Sequence, residues 1–255
     1  MDLDRRQLLA TGAAAALAGP ALAQPRMVKT VTFMMRRYGH SHAEFMRYWI
    51  DVHGALAQKT TSLKGLIFTE ITGATNQRKD IAIAPDQIVL DGMMESWRLD
   101  TPASTDLAQV EAERAFHEDG VKFVGQIKGF RVQENVFVRP KRGGKGLLSL
   151  INRKTGVSHA DFTKHWLTIH GPMAAQVPEV AGLVLNEVLS PSPPATIPVI
   201  HELDDIDGIA ESWHKDTSYA AVTSPEAKRW YADGADLIGL ARGYYTQEHV
   251  IIEPG

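Results

Sequence analysis

The sequence predicts an α+β fold in which two β-α-β-β-α-β modules stand in tandem and their antiparallel sheets pack face to face as one barrel within the chain. Three observations predict it. Residues 41–54 (SHAEFMRYWIDVHG) return as residues 158–171 (SHADFTKHWLTIHG) with Ser, His, Ala, Phe, Trp, His and Gly in register. Residues 91–97 (DGMMESW) return as residues 207–213 (DGIAESW), and Asp119-Gly120 and Gly129 return as Asp233-Gly234 and Gly243. The separation drifts only from 117 (Ser41 to Ser158) through 116 (Asp91 to Asp207) to 114 (Asp119 to Asp233), so a whole module is repeated and not one motif. The third observation is the order of strand and helix signals, which is the same in both copies.

Ahead of the repeats, residues 1–24 carry Arg5-Arg6, an Ala-rich apolar run over residues 8–18, a Gly19-Pro20 break and Ala21-Leu22-Ala23. This is the pattern of a secretory signal with an A-x-A cleavage site, and the paired arginines are of the twin-arginine type, whose cargo crosses the membrane folded. The apolar run is shorter than the roughly 20 residues of a membrane span. A soluble periplasmic protein is expected, with no membrane association after cleavage. The chain has no cysteine, which suits export and excludes disulfides, thiolate nucleophiles and thiolate metal sites. A net charge of −3 with 22% charged residues gives no basic footprint for nucleic acid, so the expected partner is a small molecule.

The first module is assigned to residues 27–138 and the second to residues 145–252, with a polar connection over residues 139–144 (RPKRGG). A β-rich stretch, residues 28–36, ends at the charged turn Arg36-Arg37-Tyr38-Gly39. Ser41 with Glu44 forms a capping box and Ser158 with Asp161 an acidic variant, so both first helices start at a specified residue and run to Gln58 and Gln176. Phe45, Trp49 and His53 are spaced by four, as are Phe162, Trp166 and His170, which puts each histidine on an inward aromatic stripe. Second strands follow at residues 65–72 and 182–189, and the Pro-rich segment 190–194 (SPSPP) cannot continue a central strand. Third strands cover residues 88–98 and 207–214. Helical patterns cover residues 104–125 and 218–240, the second interrupted at Pro225, and last strands cover residues 129–138 and 243–252. This order is that of the ferredoxin-like unit, with both helices on one face of the sheet; the second copy covers the bare face of the first. A barrel closed in this way needs no second chain, so a monomer suffices.

The pattern F-x-x-Y/H-W-x-x-x-H-G-P, present as Phe162, His165, Trp166, His170, Gly171 and Pro172, together with the D-G-x-x-E-S-W block, resembles the EthD family of the dimeric α+β barrel superfamily. The resemblance extends over nearly all of the chain after the leader, as two tandem EthD-like domains. It implies a barrel that is normally made by two chains. Relatives include proteins linked to ether degradation, fungal polyketide-processing decarboxylases or dehydratases, and muconolactone-type isomerases. The shared theme it implies is cofactor-independent chemistry on small, often aromatic or lactone-like molecules in a pocket beside the sheet. The family histidine carries over onto His170 with its Gly-Pro intact, whereas His53 is followed by Gly54-Ala55. Some barrels of the superfamily bind haem through a histidine, which stands as the alternative to a cofactor-free protein.

His170 and His53 are the candidate general acid/base groups, because imidazole changes protonation near neutral pH. The structural alternative is a buried histidine bonded to a neighbouring carbonyl. Glu95 and Glu211 each stand two residues before a tryptophan on a strand, so Glu95 with Trp97, and Glu211 with Trp213, point to one side of the sheet. A carboxyl buried there has a raised pKa unless it is paired, which suits a proton donor or a partner for histidine. The alternative is an ion pair with Arg36 or Arg153, and those arginines are also candidates for holding an anionic substrate. Trp49, Trp166, Trp97 and Trp213 are candidate pocket walls, or else core. No H-x-x-x-H or H-E-x-x-H is present, and His159, His165 and His170 do not share one helical face, so no metal site is expected. No G-x-S-x-G elbow, P-loop or dinucleotide fingerprint is present.

The expected function is therefore a lyase, decarboxylase or isomerase, with a non-catalytic small-ligand-binding or accessory barrel as the rival. Between the copies His165 stands for Tyr48, Thr168 for Asp51, His214 for Arg98 and Pro172 for Ala55, and the second copy is expected to lead the chemistry.

Overall fold

The computed structural model describes residues 26–75, 88–100, 104–192, 196–216 and 223–255. The expected leader (residues 1–24), part of the Pro-rich segment 190–194 and residues 218–222 of the second long helical pattern lie outside the described residues. In the first half, β1 (Met27–Arg36) leads to α1 (His42–Tyr48), a π-helical turn (Trp49–His53) and α2 (Gly54–Ala57). Then come β2 (Leu63–Thr75), β3 (Gly92–Leu99), α3 (Leu107–Asp119) and β4 (Val124–Val138). The second half repeats the order: β5 (Lys145–Arg153), α4 (His159–His165), a π-helical turn (Trp166–His170), α5 (Gly171–Ala174), β6 (Val180–Pro191), β7 (Gly208–His214), α6 (Pro225–Leu237) and β8 (Ile238–Ile252).

Eight antiparallel strands close a barrel in the order β1-β3-β2-β8-β5-β7-β6-β4. The two sheets do more than face each other. They are hydrogen-bonded edge to edge along two seams, β2 with β8 and β4 with β6, so the barrel is one continuous sheet. The physical reason is that a sheet edge carries unpaired N–H and C=O groups, and these strands are long enough to reach the other half's edge. β4 and β8 each run 15 residues, starting at Val124 and Ile238, several residues before the sequence pattern places them. The helices before them are correspondingly shorter. Pro225 does not interrupt α6 but opens it, behind a Ser224 cap whose Oγ accepts from Ala227 N at 3.3 Å; the first turn is where proline's missing N–H costs nothing.

The inner face of the barrel is a core of Val31, Phe33, Met93, Phe130, Leu150, Ile209 and their neighbours. Helices cover the outer face of each half, around Phe45, Trp49, Phe68 and Phe123 in the first and around Phe162, Trp166, Leu183 and Leu237 in the second. The first capping box is present, with Ser41 Oγ accepting from Glu44 N and Ser41 N donating to Glu44 Oε2. In the second copy Ser158 Oγ accepts from Asp161 N, but the shorter Asp161 carboxylate bonds the Ser158 hydroxyl and not its backbone N–H, so the box is half formed. The repeated Asp-Gly pair also has a reason. A Cβ on Gly92 would stand 2.4 Å from the Trp49 indole, and one on Gly208 2.5 Å from that of Trp166, so only glycine lets each indole lie on the sheet. Both histidines end the π turns and are buried. π turns of this kind concentrate at functional sites.

Candidate functional site

Each half holds a histidine–aspartate pair between its helices and the outer face of the sheet. In the first half, His53 Nδ1 lies 3.1 Å from Asp119 Oδ2. Tyr48 OH donates to Asp119 Oδ1 at 2.8 Å, and Lys122 Nζ stands 3.0 Å from the same oxygen. Burial alone would raise the Asp119 pKa, but the bonds from Lys122, Tyr48 and His53 hold it below the usual carboxylate range. An ionised carboxylate only accepts, so Nδ1 carries the proton and Nε2 the lone pair. Burial pushes the His53 pKa down, against the pull of Asp119. The imidazole is thus neutral near pH 7, with an acceptor at Nε2. No hydrogen bond among the described residues engages that atom.

His53 stacks on Phe116 with ring centroids 4.4 Å apart and lines a cavity of about 540 Å³. Volumes of roughly 300–1,000 Å³ are those of small-molecule sites. Its walls are mostly apolar, Met34, Met94, Phe116, Phe123 and Ile197 among them, with Thr32, Ser96 and Arg98 supplying polar groups. Arg98 is oriented by Glu113 at 3.0 Å, whereas the Lys128 side chain points to the inner face, over Phe130, and pairs with Asp204.

In the second half, His170 Nδ1 lies 2.7 Å from Asp233 Oδ2, and His165 Nε2 stands 2.8 Å from Oδ1, where the first half has Tyr48. Bonds from His165 and His170 hold the Asp233 pKa down against burial. The difference is at Nε2. Trp230 Nε1 donates to His170 Nε2 at 2.8 Å, so both ring nitrogens are bonded. The cavity beside it, with Trp166, His214, Trp230 and Tyr231 in its walls, measures about 120 Å³. Trp230 occupies the position of Phe116, each standing three residues before the aspartate.

Glu95 and Glu211 lie on the other face of the sheet. They point into the barrel, opposite the histidines, and are not their partners. There they join a buried network drawn from both halves and the connection between them. Lys29 Nζ stands 2.6 Å from Glu95 and from Glu134. Arg142 Nη1 lies 2.6 Å from Glu248, 3.3 Å from Glu95 and 3.4 Å from Glu211. Asn186 Nδ2 donates to Glu211 at 2.8 Å. Trp97 and Trp213 wall this network, with Lys29 Nζ 4.6 Å from the Trp97 ring centre and the Arg142 guanidinium 5.0 Å from that of Trp213. Burial, and then the charge of Glu95, push the Glu211 pKa up to about 8. Burial would raise Glu95 too, but Lys29 and Arg142 hold it low. Glu95, Glu211 and Glu248 bring oxygens within 4.8 Å of one another, yet the positive charge a metal would supply already stands there as ammonium and guanidinium.

The ion pairs expected for the glutamates are thus corrected. Arg36 and Arg153 do not reach them, because each is drawn to the aspartate that opens the next strand. Arg36 N donates to Asp91 Oδ2 at 2.7 Å and its guanidinium pairs with Oδ1, while Nε donates to His40 O at 3.0 Å. Arg153 repeats this with Asp207 and Val157 O. Among the described residues neither arginine lines a histidine cavity. Trp49 is packed on Phe68, 4.3 Å between ring centres, away from the His53 cavity, whereas Trp166 lines that of His170. Asp119, Asp233, Tyr48 and Trp230 escaped sequence reasoning, although Asp119 and Asp233 stood in plain view as repeated Asp-Gly pairs.

Fold and site together define an α+β barrel protein with a histidine–aspartate pair under the helices of each half. Within it, residues 154–241 match the EthD domain model, which places an EthD-type domain in the second half. No curated protein sequence matches the chain. Among solved structures, an "anthrone oxidase-like protein" superposes with a TM-score of 0.51 at 9% identity, covering 90% of this chain and 95% of that one. A "putative monooxygenase" from Lactobacillus acidophilus NCFM gives a TM-score of 0.51 at 12% identity, covering 90% and 97%. At such identities the likeness is one of fold.

Proposed function

We propose that the protein is a general acid–base enzyme acting on a small aromatic or lactone-like molecule, and that the working base is His53 in the first-half cavity. One observation carries the proposal: a neutral imidazole with its Nδ1–H bonded to Asp119 and its Nε2 unengaged, beside a largely apolar cavity of about 540 Å³. Nε2 takes a proton from an acidic C–H or O–H of the substrate. Asp119 stabilises the imidazolium so formed, and Tyr48 and Lys122 keep Asp119 in place and ionised. Charge left on the substrate oxygen meets the hydroxyls of Thr32 and Ser96. The same proton then returns to another atom of the substrate or to its leaving group, which is the net chemistry of an isomerase or lyase.

In the rival haem reading His53, whose Nε2 is unengaged, would be the residue to hold the iron, and His170, bonded at Nε2 by Trp230, would not; an absorbance spectrum of the purified protein decides it. Each half is further read as one ferredoxin-like module, supported by the strand orders β4-β1-β3-β2 and β8-β5-β7-β6. Closure within one chain supports a monomer, which sedimentation tests. The Arg5-Arg6 leader supports export to the periplasm, and replacing both arginines by lysine is expected to retain the precursor in the cytoplasm.

A thermal-shift screen of small aromatic acids, phenols and lactones identifies ligands, because a compound that binds only the native state raises the melting temperature. With a substrate in hand, His53→Gln is expected to lower turnover by roughly two to four orders of magnitude while ligand binding persists. Undiminished turnover would refute the assignment. A ligand that binds but is never turned over by the native protein would favour the binding-protein reading.

A further inference from the structure

We infer that position 116/230 decides which histidine is available as a base, and that Trp230 is a positioning residue that closes His170. For what that availability serves, the inference rests on the reading above; its geometry stands alone. Phe116 and Trp230 occupy matching places on α3 and α6, three residues before Asp119 and Asp233, so one helical face presents ring and carboxylate together to the histidine. Phe116 lies over the face of His53, 4.4 Å between ring centres with 27° between planes, and has no polar hydrogen. Trp230 stands 5.7 Å from His170 by ring centres, and its indole N–H reaches Nε2 at 2.8 Å.

An indole nitrogen only donates. While it donates to Nε2, that lone pair cannot receive a substrate proton. A protonated His170 would set two N–H donors against each other. Asp233 meanwhile holds the proton on Nδ1, so the ring is fixed in one tautomer from both sides. Exposure does not separate the two histidines, since His53 is 6% and His170 4% exposed. The distinguishing element is the donor at Nε2.

The test is acylation of the folded, full-length protein by diethyl pyrocarbonate, whose carbonyl is attacked by an unprotonated imidazole nitrogen with loss of ethanol and carbon dioxide, with each histidine followed by mass spectrometry. His53 is expected to react and His170 to be protected. Trp230→Phe is expected to raise the His170 rate at least tenfold, and Phe116→Trp, which has the cavity to grow into, to slow His53 by a similar factor. Equal rates at His170 in native protein and Trp230→Phe would overturn the inference. Benzothienylalanine at position 230 keeps the bicyclic ring and removes the N–H. Unlocking of His170 by this analogue assigns the effect to the hydrogen bond, whereas continued protection would reduce Trp230 to a steric cover and overturn its assigned role. If Trp230→Phe melts early, Trp230→Leu removes the same donor and is read in the same way. No substrate enters this experiment, so its failure is separate from that of the proposed function, which the turnover of His53→Gln decides.

Discussion

The two halves of the barrel keep the same skeleton and differ where their pockets are built. Serine caps, π turns, the indole laid on a glycine and the His–Asp pair recur in both. Around the histidine, however, Tyr48 gives way to His165, Phe116 to Trp230 and Arg98 to His214. These few exchanges leave one imidazole open beside a cavity of about 540 Å³ and the other bonded at both nitrogens beside one of about 120 Å³. A duplication that must close a barrel holds its packing residues in both copies, while one copy suffices for a pocket. The half with the fuller motif, Gly171-Pro172 included, is here the closed one.

The comparison breaks most visibly at the aspartates. Asp119→Asn removes the charge that keeps the proton on Nδ1 of His53, and turnover should fall by roughly two to three orders of magnitude, within the range of a lost acid–base assembly. Asp233→Asn, the same change in the closed half, should leave it within a few-fold. Equal losses would make the halves equivalent. In native protein the activity should also persist below pH 6.5, since burial lowers the His53 pKa and the base stays neutral there.

A smaller asymmetry lies inside the barrel, where Glu95 is ionised and its counterpart Glu211 is not. Glu211 is raised to about 8, so the folded state holds a proton that the unfolded state releases near 4.5. Between those values the folded state binds more protons, and stability falls as pH rises. Glu211→Gln is expected to remove that slope, gaining on the native protein in melting temperature from pH 5 to pH 9. Glu95→Gln should instead destabilise by about 3–5 kcal/mol near neutral pH, because it strips a buried charge from Lys29 and Arg142. Parallel pH profiles for Glu211→Gln and the native protein would contradict the assignment.

Much of this was legible in the sequence because it is local. The caps, the Phe-Trp-His stripe and the strand order follow from spacings within one element. The seams between β2 and β8 and between β4 and β6 are pairings between halves that no local pattern encodes. His53 was legible as an inward residue, but Asp119 lies 66 residues away and only the fold brings it close. Glu95 and Trp97 were correctly placed on one side of the strand, yet both sides of that strand are buried, so periodicity could not say which faced the histidine. Arg142 looked like part of a solvated connection, and it instead turns into the barrel to meet three glutamates from β3, β7 and β8.

The most direct measurement is a crystal structure with a compound taken from the thermal-shift screen. The ligand is expected in the first-half cavity, with the carbon or oxygen that bears its acidic proton within about 2.6–3.2 Å of His53 Nε2, and Trp230 still bonded to His170. A ligand seated beside His170, with Trp230 displaced and the His53 cavity vacant, would contradict it.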